Sequence, residues 1–184
     1  MSVLSHLALR FSTHPENLAT EALAYILGQS LVARRSFERL VAGLSGRTLE
    51  LHRFTTQSVN DDQSRPDLVG IGPDGLQTLS VEVKFWAGLT AAQPTGYLAA
   101  MPAPGVVLFV APAARLHTLW DELTRRVVQA GLTQPPVLAL VAHNLSMSVA
   151  GQVMAAISWR ELLGFLQNDV EAAAEGETAA DIRQ

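Results

Sequence analysis

Three side chains in the segment RPDLVGIGPDGLQTLSVEVKF, residues 65–85, have the types and spacing for shared chemistry: Asp67, Glu82 and Lys84. Two apolar runs flank Pro73-Asp74-Gly75, a turn signal that makes the segment a β-hairpin. If the loop is the two-residue Asp74-Gly75 type, residues whose numbers total 149 face each other, and Asp67 meets Glu82. Their Cβ atoms would then lie about 4.5–5.5 Å apart on one face of the sheet. A four-residue loop with the same centre keeps this register, whereas a loop of three or five residues slips it by one and separates the pair. Alternation along the second run puts Ser80, Glu82, Lys84 and Trp86 on one face and Val81, Val83 and Phe85 on the other. Two acids facing each other repel unless a positive charge lies between them, and Lys84 is one side-chain step away. Two carboxylates and an ammonium at a strand end can hold a hard divalent cation through oxygen and place a water beside it. That arrangement suits phosphodiester hydrolysis.

The remaining elements must hold this hairpin. Apolar residues at helical spacing run from about Pro15 to Leu44, with Gly28-Gln29-Ser30 placed to divide the stretch into two helices. TLELHRFTTQSV is expected as a strand, ending in the polar loop NDDQSRP. After the hairpin, TAAQPTGYLAAMP suits a short helix disturbed at its start by Pro94, and GVVLFVAP a fully buried strand. ARLHTLWDELTRRVVQAG is an amphipathic helix stopping at Gly131; PPVLALVAHN and SMSVAGQVMAAISW follow as strands. SWRELLGFLQND opens a helix with Ser158 as cap and Glu161 three residues on. The order predicts one α/β domain over residues 1–184, with a mixed sheet flanked by helices and a carboxy-terminal helix and acidic tail from about 161. The ending DIRQ also fits a domain cut from a longer protein.

Composition narrows the class. With 48% hydrophobic and 16% charged residues, the chain can build a core and is not a disordered acidic segment. No apolar run nears the ~18 residues of a bilayer span, and MSVLSHLALRF lacks a secretory leader's basic start, so a cytoplasmic protein without a membrane partner is expected. There is no cysteine, hence no thiolate site or disulfide. The net charge of −4 is uneven: residues 161–184 carry −5 and the first 160 carry +1, with Arg34, Arg35, Arg39, Arg47, Arg53 and Arg65 ahead of the hairpin. A local basic groove is therefore compatible with the acidic total. GIGPDG satisfies G-x-G-x-x-G, but a strand follows it rather than the helix that cradles phosphate. The five histidines have no zinc-ligand spacing and no G-x-S-x-G occurs. Trp86, Trp120 and Trp159 are spaced like core residues rather than a base-stacking platform.

Pro66-Asp67, fourteen residues, then Glu82-Val83-Lys84 resembles the motif of the PD-(D/E)xK nuclease superfamily. QPTGY, residues 93–97, is similar to the Gln-x-x-x-Tyr element of its RecB-like and lambda-exonuclease-like branch. The resemblance covers about residues 15–110 and implies a restriction-endonuclease-like αβββαβ core. It further implies a nuclease using Mg²⁺ or Mn²⁺ held by Asp67, Glu82 and the Val83 carbonyl, with Glu21 as an additional acid from the first helix. Lys84 would orient the attacking water and stabilise transition-state charge. Gln93 and Tyr97, with Arg65, would contact the nucleic-acid backbone. DNA is the implied partner, RNA stays open, and a second copy or another module would complete a double-strand cutter. The implied setting is bacterial restriction, repair or anti-phage defence, by endonucleolytic cutting; a nuclease fold that docks partners without cleavage is the rival reading.

Overall fold

Ser30 divides the amino-terminal helical stretch in two. Helix α1 spans Pro15–Gln29 and α2 Leu31–Ser45; between them Ser30 is extended and its side chain accepts from the Ala33 N–H. Gly46, at φ +66, ends α2 in the left-handed conformation that glycine adopts without a Cβ penalty. The computed structural model describes residues 15–56, 65–132 and 145–183.

Strands β1 (Arg53–Thr56), β2 (Leu68–Ile71) and β3 (Gln77–Val83) form an antiparallel meander. A short helix α3 (Thr95–Ala100) then leads to β4 (Val106–Ala111), which pairs parallel to β3. Pro94 sits at the cap immediately before α3, where its missing N–H disturbs no helical bond. Helix α4 (Ala113–Gln129) precedes the hairpin of β5 (Leu145–Val149) and β6 (Gln152–Ser158). Helices α5 (Trp159–Ala172) and α6 (Gly176–Arg183) close the chain. The sheet order is β1-β2-β3-β4-β6-β5, with β3, β4 and β6 mutually parallel and the outer strands antiparallel. An αβββαβ order thus precedes the final hairpin and helices, as the sequence predicts.

Helices cover both faces of the sheet. On one, Leu23 and Leu27 of α1, Phe37 and Val41 of α2, and Leu162 and Leu166 of α5 pack on Leu79, Val81, Leu108 and Val110. On the other, Leu98 of α3 and Leu119, Leu123 and Val127 of α4 pack on Val107, Phe109 and Met154. Every residue of β4 and β6 is buried, which is why those stretches are apolar without alternation. Ser158 and Glu161 form the reciprocal capping box expected of them. The acidic end is less a tail than a docked helix: Ala179 and Ile182 join the core. The strand expected at 135–144 and the loop at 60–64 lie outside the described residues.

Candidate active site

The hairpin reaches its expected register by an unexpected route. Its loop has three residues, Pro73-Asp74-Gly75, closed by Gly72 N–H to Leu76 O (2.9 Å) and Gly75 N–H to Gly72 O (3.1 Å). Gly75 takes φ +79, a position that favours glycine. Such a loop slips the register by one, and Ile71 indeed pairs with Gln77. A bulge at Thr78 then restores it, so Gly70 faces Leu79, Val69 faces Ser80 and Leu68 faces Val81. The bulge also turns Gln77 and Ser80 to the same side, where the Gln77 amide reaches the Ser80 hydroxyl (2.6 Å). Extended one step beyond the last of these pairs, this register puts Asp67 opposite Glu82. Without the bulge Glu82 would meet Pro66.

At this end of the sheet Asp67 Oδ2 accepts from the Val83 N–H (2.7 Å), extending the ladder with a side chain. Lys84 continues β3 beside β4 by donating its N–H to Val110 O (2.9 Å), and its Nζ lies 2.8 Å from Glu82 Oε1. Glu82 and Lys84 are both buried, at 3% and 6% exposure, so each charge requires the other. Gln93 Nε2 also donates to Glu82 Oε1 (2.6 Å), and the Tyr97 hydroxyl lies 3.0 Å from Oε2. Gln93 is fully used: its Oε1 accepts from the Thr90 N–H (3.1 Å) and its Nε2 reaches the Tyr97 oxygen (2.9 Å). Arg126 of α4 fixes the loop beneath by donating to the carbonyls of Leu89, Thr90 and Gln93 while pairing with Glu122.

Burial pushes the Asp67 carboxyl up to about 7, and the Glu82 charge adds to the rise; the Val83 N–H and Lys84 oppose it. Glu82 is raised too, first by burial, against the pull of Lys84, Tyr97 and Gln93. Tyr97 is raised well above a usual phenol by burial and by Glu82. The cluster is short of positive charge. Among the described residues no group of three or more acidic or histidine side chains is spaced to hold a metal. The anionic oxygens that converge here are those of Asp67 and Glu82, with the Tyr97 hydroxyl 3.0 Å from Glu82 Oε2.

The predicted residues divide into three groups. Asp67, Glu82 and Lys84 converge as expected, with Val83 bound to Asp67 through its N–H. Gln93 and Tyr97 join the same cluster, but buried at 2% and 4% exposure and turned toward Glu82 rather than outward. Arg65 is exposed, and its backbone carbonyl lies 2.9 Å from the Tyr97 hydroxyl. Glu21 is exposed on α1 and does not enter the cluster. The acid that α1 does supply is Glu16, whose Oε1 accepts from the Phe85 N–H (2.7 Å) and whose charge adds to the rise at Asp67. Five residues along a helix is a rotation of about 140° and a rise of about 7.5 Å, so Glu16 and Glu21 cannot serve the same point. The available signal was position: Glu16 stands in the first turn of the helix, where an acid is favoured.

Trp86 departs furthest from expectation. Trp120 and Trp159 pack partly buried against the two cores, but Trp86 is 76% exposed. Of the arginines ahead of the hairpin, Arg34 caps the carbonyls of Leu27, Gly28 and His52, and Arg39 pairs with Asp169 (2.6 Å). Arg35 and Arg53 are exposed. Compared with protein-family models, curated proteins and solved structures, the chain matches none.

Proposed function

We propose that the protein is a Mg²⁺- or Mn²⁺-dependent nuclease with a restriction-endonuclease-like core, hydrolysing DNA phosphodiester bonds at the Asp67–Glu82–Lys84 cluster. The observation that carries this reading is the convergence of half-buried Asp67, buried Glu82 and buried Lys84 at one strand end, with both carboxyls raised first by burial. A structural ion pair needs one acid and one base; the second acid, raised to about 7, makes sense as a ligand kept for a cation. The αβββαβ element order supports the core assignment.

The donor set suits a hard divalent ion. Asp67 keeps Oδ1 without a hydrogen bond among the described residues, and Glu82 lies opposite with two oxygens. Mg²⁺ characteristically takes one or two carboxylates, keeping its other positions for water and substrate phosphate, so two protein carboxylates suffice. Bound there, the ion would polarise the phosphate and make a water more acidic. The chain's own residues do the rest. Lys84, fixed by Glu82 and by its backbone bond to Val110, orients the nucleophile and offers positive charge to the pentavalent transition state. Gln93 and Tyr97 lock the Glu82 carboxylate in one orientation, and Glu16 pins the backbone just past Lys84.

One observation favours the rival, a docking fold without chemistry: both Glu82 oxygens already have donors. A metal titration separates the two. At pH 8, Mn²⁺ should raise the melting temperature by several degrees, saturably, and Asp67→Asn and Glu82→Gln should each abolish the rise. A melting temperature indifferent to Mn²⁺ and Mg²⁺ would favour docking.

A further inference from the structure

Residues 84–87 form a loop anchored at nearly every point. The Lys84 N–H is held by Val110 O (2.9 Å) and the Phe85 N–H by Glu16 Oε1 (2.7 Å). The Phe85 ring stacks on Trp159, with centroids 6.1 Å apart and planes inclined by 12°. Arg115 of α4 donates to the Ala87 carbonyl. Between these anchors the Trp86 indole stands 76% exposed. A loop held at this many points keeps a large aromatic face in water, open to contact by a flat partner.

The neighbours narrow what covers it. Ala87 and Gly88 are exposed and add almost no apolar surface. A protein partner seated on a tryptophan needs a surrounding ring of contacts to exclude water. A nucleobase needs only one flat, unobstructed face. Trp86 also follows Lys84 by two residues, which limits their Cα separation to about 7 Å. A base stacked on it and a phosphate at Lys84 can therefore belong to one nucleic-acid strand. Bases inside a duplex are already stacked on both sides, so the base offered to Trp86 is an unpaired one or one at a strand end.

We infer that Trp86 is a base-stacking residue for single-stranded or frayed nucleic acid, placing an unpaired base beside the phosphate held at Lys84. This rests on the hydrolytic reading of the site and adds its substrate class. Stacking of one base on an aromatic ring changes affinity by roughly tenfold to a hundredfold.

The test uses the full chain carrying Asp67→Asn, to suppress turnover and lessen repulsion of phosphate, titrated with a short single-stranded DNA and with a blunt duplex of equal length. The single strand should quench tryptophan fluorescence and bind more tightly than the duplex. Adding Trp86→Ala should remove most of the quench and weaken binding at least tenfold, while Trp86→Phe should retain most of the affinity. No binding of the single strand, equal affinity without Trp86, or a preference for the duplex overturns the inference. So does a protein that Trp86→Ala converts from dimer to monomer with DNA affinity unchanged. Cleavage by the otherwise unaltered chain is scored separately. Trp86-dependent binding with no cutting removes the hydrolytic reading alone; cutting indifferent to Trp86→Ala removes the stacking inference alone.

Discussion

Because burial and Glu82 together lift Asp67 from 3.8 to about 7, the folded protein holds a proton there that the unfolded chain has released. Between those values the native state binds more protons, so stability falls as pH rises toward 7 and levels off above it. Asp67→Asn removes the cost, since an amide oxygen still accepts from the Val83 N–H. In metal-free buffer the variant should match the unaltered protein near pH 4 and exceed it at pH 8 by on the order of 1–2 kcal/mol, allowing for partial solvent screening. Thermal melts across that range check this; parallel curves would mean that Asp67 is not strained by its site. Tyr97→Phe works the other way. It strips a donor from the buried Glu82 carboxylate and should cost about 1–3 kcal/mol by urea denaturation. A loss below a few tenths would show that the hydroxyl serves Arg65 instead.

At the scale of elements, the hairpin shows both what the sequence discloses and what it hides. The alternation in SVEVKF and a two-residue loop at Asp74-Gly75 place Asp67 against Glu82, a register the structure reaches with a different loop. The three-residue loop and the Thr78 bulge are not legible, because their two one-residue shifts cancel and leave the apolar alternation of β3 unchanged beyond Leu79. Helices were plain wherever a cap and a period coincided, as at Ser30 and Ser158. Glu16 was missed because a helix sequence shows which residues share a face but not where its first turn points. Trp86 departs from core spacing because alternation alone does not show that the strand ends at Val83 and an anchored loop begins. Gly75→Ala should cost about 1 kcal/mol, since φ +79 strains any side chain there. A neutral result in urea would mean that the loop can adopt another turn and that the bulge alone sets the register.

Across the whole molecule, the face of the sheet away from α4 is tied together by polar links between distant segments. Asp169 of α5 accepts from Ser36 (2.5 Å) and Arg39 (2.6 Å) of α2, and Ser30 reaches Glu175 (2.5 Å). The Ser36 hydrogen bond, with Arg39, holds the Asp169 carboxyl below its usual range. Its contribution is therefore present above the ordinary carboxylate value and lost as pH falls through the lowered one, opposite in sense to Asp67. Asp169→Ala should cost about 1 kcal/mol at pH 7, solvent screening keeping the figure small, with the gap narrowing in acid. A gap that stays constant with pH would assign the effect to packing.

DNA cleavage is the activity proposed for the cluster at the end of β3. Plasmid and linear DNA, single- and double-stranded, would be incubated with Mg²⁺ or Mn²⁺ and either the unaltered protein or Asp67→Asn. The prediction is metal-dependent cutting by the former and at least a hundredfold less by the latter, although the variant is the more stable protein. Equal cutting by both, or none by the unaltered protein on any substrate with either metal, would contradict the assignment.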